Sequence, residues 1–149
     1  MSEIKNAELL GNLIFEILPI CKKKETELAD EHGLFQAEFK CLRLFEVDGN
    51  MNNKEIAKRM RLSQSRLTRV MDGLVKKGYM KRKIDNSDRR NMKLSLSRRG
   101  KNLTNKLNDA FIEIHSEILQ DIDVSQHESL IIAMENLNLA VEKWLQRPR

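Results

Sequence analysis

Apolar residues recur at helical spacing along most of the chain and at a spacing of two over one short stretch, and the points where the period changes divide it into elements. From Ala7 to about Glu31 the stripe Leu10, Leu13, Ile14, Ile17 and Cys21 predicts a long first helix. Pro19 falls inside it. A proline removes one backbone hydrogen bond and crowds the carbonyl four residues back, so a kink or break is expected between Glu16 and Pro19. His32-Gly33 ends this helix, and Gln36 to Val47 predicts a second, which offers Phe39, Leu42, Leu44 and Phe45 to a core. Asp48-Gly49-Asn50 is a turn signal, and Met51 is placed to add a very short strand beside a hairpin later in the chain.

Asn52-Asn53-Lys54-Glu55 reads as a capping box, with Ile56, Ala57 and Met60 as the stripe behind it. A tight Arg61-Leu62 turn leads to Ser63, a good N-cap, and to Leu67, Val70, Met71 and Leu74 at helical spacing before Gly78, where a helix stops in a left-handed residue. The period then drops to two over Tyr79 to Ile84 and Met92 to Leu96, which predicts a hairpin with a basic tip at Asp85 to Asn91. After Gly100 a long helix carries Leu103, Leu107, Ala110 or Phe111, Ile114 and Ile118. Asp121-Ile122-Asp123 breaks it, and Ser125-Gln126-His127-Glu128, a second capping box, opens a last helix striped by Ile131, Met134, Leu137, Val141 and Trp144 or Leu145.

The expected fold is therefore mainly α with a small β-hairpin wing, a winged helix-turn-helix lobe at 34–100 and a helical dimerisation region at 1–33 and 101–149. The helix after Ser63 turns Gln64, Ser65, Arg66, Thr68 and Arg69 to its polar face, residue types that hydrogen-bond base edges or phosphates in a major groove. The terminal helices instead carry adjacent apolar pairs, Leu9 with Leu10, Leu130 with Ile131 and Trp144 with Leu145, that point in different directions. One small winged lobe cannot cover all of these. The two ends are thus expected to pack together and against a second copy through Leu10, Leu13, Ile14, Ile17, Ile131, Met134, Leu137, Val141 and Trp144.

Charge sharpens this picture. The 149 residues suit one domain with a net charge of +5, but Met51 to Lys101 holds seventeen Lys and Arg against four Asp and Glu, a net of +13, while the remainder holds ten against eighteen, a net of −8. A segment that basic in an otherwise acidic chain points to a polyanion, here double-stranded DNA. Lys81, Lys83 and Lys93 are candidates for its backbone, Thr68, Lys76 and Lys77 either touch phosphate or stay in water, and Arg89 and Arg90 at the hairpin tip are candidates for a minor groove. Asp88 either holds Arg90 in place or caps its own turn. RNA is disfavoured, because single-strand recognition relies on stacking aromatics and the basic segment has only Tyr79. No long apolar run or secretory pattern is found, so a cytoplasmic protein that avoids membranes is expected. His32, His115 and His127 are isolated, no catalytic signature is seen, and neither metal, cofactor nor enzymatic activity is expected.

The run Asp85 to Gly100 resembles the wing signature of MarR-type regulators, winged helix-turn-helix repressors of bacteria and archaea, and the likeness extends to the preceding helix pair and the order of helices on both sides. The resemblance implies a dimeric repressor on a pseudo-palindromic operator, with Asp88 positioning Arg90 and a small lipophilic or phenolic effector bound between the dimer helices and the winged lobe. Some members of the group sense peroxides through a cysteine of the first helix, which makes Cys21 a redox candidate; Cys41, beside Leu42 and Phe45, reads as a buried small hydrophobe. Pro19 departs from the pattern. Two rival functions stay open, a winged helix that docks an acidic protein partner and a cysteine-based redox-sensing repressor.

Overall fold

The computed structural model describes residues 2–45, 52–84 and 92–149. Its elements are helices α1 (Glu3–Glu31), α2 (Gln36–Leu44), α3 (Asn53–Met60) and α4 (Gln64–Lys76), strands β1 (Met80–Ile84) and β2 (Met92–Leu96), helix α5 (Arg98–Gln120), a 3₁₀ turn (Val124–Gln126) and helix α6 (His127–Gln146). The fold is thus mainly helical with one two-stranded antiparallel hairpin. The expected strand at Met51, the end of the second helix at Val47 and the hairpin tip lie outside the described residues.

The chain divides into two compact units, Met1–Asn108 and Asp109–Arg149, with α5 running through the boundary. In the first, Phe39, Leu42, Ile56, Leu67, Leu74 and Leu107 are fully buried. Each such side chain contributes about 1.5–3 kcal/mol by leaving water. The caps fall where the polar residues call for them. Asn52 accepts the Glu55 N–H at 2.9 Å to open α3, and Ser63 accepts the Arg66 N–H at 3.3 Å to open α4. Between these helices Arg61 takes the left-handed conformation, φ 54°, and the Leu62 N–H reaches back to the Ala57 carbonyl at 3.0 Å, closing a Schellman turn with arginine where glycine is usual.

One expectation is narrowed and another corrected. Of the kink or break expected near Pro19, the break does not occur: α1 is continuous from Glu3 to Glu31, and one lost backbone bond is outweighed by the ladder of a 29-residue helix on both sides of it. Ser125 does not cap α6 either. Its N–H and hydroxyl both donate to the Asp123 carboxylate, each at 3.0 Å, so Asp123 caps the 3₁₀ turn and α6 starts at His127 without a side-chain cap. Those bonds hold the Asp123 carboxyl below its usual range. His127 is occupied as well: its Nε2–H lies 3.0 Å from the Leu119 carbonyl and 2.8 Å from that of Ile122, satisfying the open end of α5. In this second unit no residue of α6 is buried.

Candidate nucleic-acid interface

Leu67, Met71 and Leu74 fix the rotation of α4 by going into the core, and the helical period then decides the opposite face: Gln64, Ser65, Arg66, Thr68 and Arg69 are all exposed. The structure therefore brings the five predicted reading residues onto one surface. Two of their hydroxyls are already engaged. Ser65 Oγ is 3.2 Å from Ser63 Oγ, and the Thr68 hydroxyl donates to the Gln64 carbonyl at 2.8 Å.

The hairpin is anchored beside this helix. In its register Met80 faces Leu96, Lys81 faces Ser95, Arg82 faces Leu94 and Lys83 faces Lys93. Met80 and Leu94 are buried, whereas Lys81 and Arg82 are exposed. The Arg82 guanidinium pairs with the Asp72 carboxylate of α4, a contact between partly exposed groups that orients the strand more than it stabilises it. A second joint ties the end of α4 to the start of α5. The Ser97 hydroxyl donates to the Gly78 carbonyl at 2.6 Å and accepts the Gly100 N–H at 3.0 Å, and the Ser97 N–H donates to the Tyr79 carbonyl at 3.0 Å. Gly78 has φ 83°, and a Cβ on Gly100 would lie 1.9 Å from the Tyr79 oxygen. Gly100 thus permits a close backbone approach, which is the physical content of the last residue of the wing signature.

Lys76 is exposed at the end of α4. Lys77, expected at a phosphate or in plain water, is held within the chain: its ammonium donates to Glu38 Oε1 at 2.6 Å and to the Gly33 carbonyl at 2.9 Å, because a buried carboxylate on α2 needs a cation. Asp88, Arg89 and Arg90 lie outside the described residues, as do the side chains of Lys83 and Lys93. Sequence reasoning also missed Glu38, Asp72, Arg82 and Ser97. Each acts through a partner on another element, and only the serine, three residues ahead of Gly100, and Glu38, in the first turn of α2 three residues after Phe35, had a local capping signal.

Of the residues expected to pair two copies, Leu10, Leu13 and Ile17 of α1 are exposed and Ile14 half-buried; Ile131, Met134, Val141 and Trp144 of α6 are exposed and Leu137 half-buried. Both thiols are unpaired, Cys21 half-buried and Cys41 buried. Burial, and then the nearby Glu38 charge, pushes the Cys41 thiol up to about 12, so it stays protonated and unreactive at neutral pH. Among the described residues no group of three or more His, Cys, Asp or Glu could hold a metal, and no helix is long and apolar enough to cross a membrane.

Residues 34–92 match the model of the MarR family. The chain is 32% identical over 144 residues to the HTH-type transcriptional regulator SarZ of Staphylococcus epidermidis, covering 95% of each protein. Its fold is similar to that of a MarR transcriptional regulator from Methanosarcina mazei, with a TM-score of 0.79 at 19% identity over 91% of this chain and 98% of that one. It is also similar to FabT of Streptococcus pneumoniae, whose structure was solved in complex with DNA, with a TM-score of 0.76 at 16% identity over 96% and 99% of the two chains.

Proposed function

The chain belongs to the MarR family of transcriptional regulators, and from that premise we propose that it is a homodimeric repressor that binds a pseudo-palindromic duplex operator. One observation carries this: α4 buries its apolar stripe and turns Gln64, Ser65, Arg66, Thr68 and Arg69 outward in the most basic part of the chain. The solved FabT complex with DNA supports the same use of the fold.

In this reading residues 34–100 read DNA and residues 1–33 and 101–149 pair two copies, which sets the two α4 helices about 34 Å apart, one turn of the duplex. The exposed apolar faces of α1 and of α6 support the pairing, since a lone copy would leave them in water. Gln64, Arg66 and Arg69 take base edges, Arg on guanine and Gln on adenine, with Ser65 beside them and Thr68 at a base edge or a phosphate; Lys76, Lys81, Lys83 and Lys93 lie along the phosphates. Arg89 and Arg90 enter the minor groove, with Asp88 holding Arg90. A small lipophilic or phenolic effector that changes the separation of the two reading helices belongs to the same proposal.

The test is a titration of the purified protein against the duplex upstream of its own gene cluster. If a dimer neutralises about eight phosphates, log K falls against log salt with a slope of about −7. A slope near −1 would remove the groove-binding reading. Arg69→Ala should cost about 1–3 kcal/mol and relax sequence preference at one position of each half-site.

A further inference from the structure

We propose that Glu38 and Lys77 form a latch that fixes the C-terminal end of α4 to the corner between α1 and α2, and that these positioning residues set how well the reading helix fits its site without touching DNA. The inference rests on the DNA-binding reading above. Glu38 is only 2% exposed, yet it is a carboxylate, and an isolated buried carboxylate is costly. Here Oε1 accepts the Phe35 N–H at 2.9 Å, closing the first turn of α2, and the Lys77 ammonium at 2.6 Å. The same ammonium donates to the Gly33 carbonyl at 2.9 Å and lies 4.7 Å from the centre of the Phe35 ring. On the other side Gly73 makes room, since a Cβ there would come within 2.6 Å of Glu38 Oε2.

One ion pair therefore ties together the turn that ends α1, the first turn of α2 and the last turn of α4. Two of the three ammonium donors are spent on the Glu38 carboxylate and the Gly33 carbonyl, so a rotation of α4 that separates these groups leaves a buried charge without its partner and is penalised. The reading residues sit at the opposite end of a 13-residue helix, a lever about 20 Å long. A small change of angle at the latch becomes a displacement of Gln64 to Arg69 against the bases.

The sign of one substitution separates this from simple charge. Removing a carboxylate from a protein that binds a polyanion should tighten binding if only charge matters, whereas loss of the latch should weaken it. Full-length wild type, Glu38→Gln, Gly73→Ala and Lys77→Met are to be compared by fluorescence anisotropy on the upstream duplex and on a scrambled duplex across a range of salt, with thermal unfolding as the folding control. Each variant should bind the upstream duplex about tenfold more weakly, the loss of one charge-assisted bond, with the scrambled duplex and the salt slope unchanged. Gly73→Ala displaces the carboxylate without altering charge, and carries the test if Glu38→Gln does not fold. Tighter binding of both duplexes by Glu38→Gln, a salt slope lowered in Lys77→Met by about 0.9 per lost phosphate, or unchanged affinity in Gly73→Ala would each overturn the latch. Amide exchange along α4, measured without DNA, should quicken in all three variants. That arm tests the latch alone, so its failure is distinct from a wild type that binds neither duplex, which would sink the DNA-binding reading itself.

Discussion

Helices α4 and α6 carry apolar residues at the same three- and four-residue steps, and they end in opposite situations. α4 buries Leu67, Met71 and Leu74 among residues of its own unit; α6, seven residues longer, buries nothing, and leaves Ile131, Met134, Val141 and Trp144 exposed. Periodicity reports how much apolar surface must be covered and not by what. For α4 the covering residues are within the same hundred, and for α6 the proposed cover is another molecule. The first helix should therefore respond to mutation as a folding element, and the second as an assembly element.

The comparison is broken most directly at α6. Ile131→Asp combined with Val141→Asp puts two charges into the proposed contact and should convert a dimer to a monomer in sedimentation velocity. A wild type that already sediments as a monomer, or a double variant that stays dimeric, would show that α6 is covered some other way. Next in size is Leu67→Ala, which opens a cavity in a closed core and should cost about 2–5 kcal/mol in denaturant unfolding while the protein keeps its oligomeric state. A smaller loss, about 1–3 kcal/mol, is expected for Gly100→Ala, whose added methyl meets the Tyr79 carbonyl; an unchanged melting temperature would mean that the joint between α4 and α5 yields freely. Cys41→Ala sharpens the picture of the core by its pH dependence. Between the ordinary thiol value of about 8.5 and the raised value of about 12, the unfolded chain sheds a proton that the folded chain keeps, so stability falls as pH rises through that window. The variant should lack that alkaline loss, and identical slopes for both proteins would show that Cys41 does not titrate as described.

Much of this was legible in the sequence because its signals are short-range. Asn52 and Ser63 announce α3 and α4 one residue ahead, Gly78 marks the stop, and the alternation of Met92, Leu94 and Leu96 predicts β2 within the bounds observed. The polar face of α4 comes from the same period. What could not be read depends on partners distant in the chain: Glu38 meets Lys77 thirty-nine residues on, and Ser97 reaches Gly78 nineteen residues back. Lys77 looked like one more surface cation for that reason. Ser125 misled in another way, since it obeys a correct local rule that a stronger neighbour, the Asp123 carboxylate, overrides.

The hydroxyl of Thr68 has a consequence for base preference. Its proton is committed to the carbonyl of Gln64, one turn earlier in the same helix. What that position has left to offer an approaching base pair is a methyl group and an accepting oxygen. It is thereby better suited to the C5 methyl of thymine than to the O6 of guanine, which requires a donor.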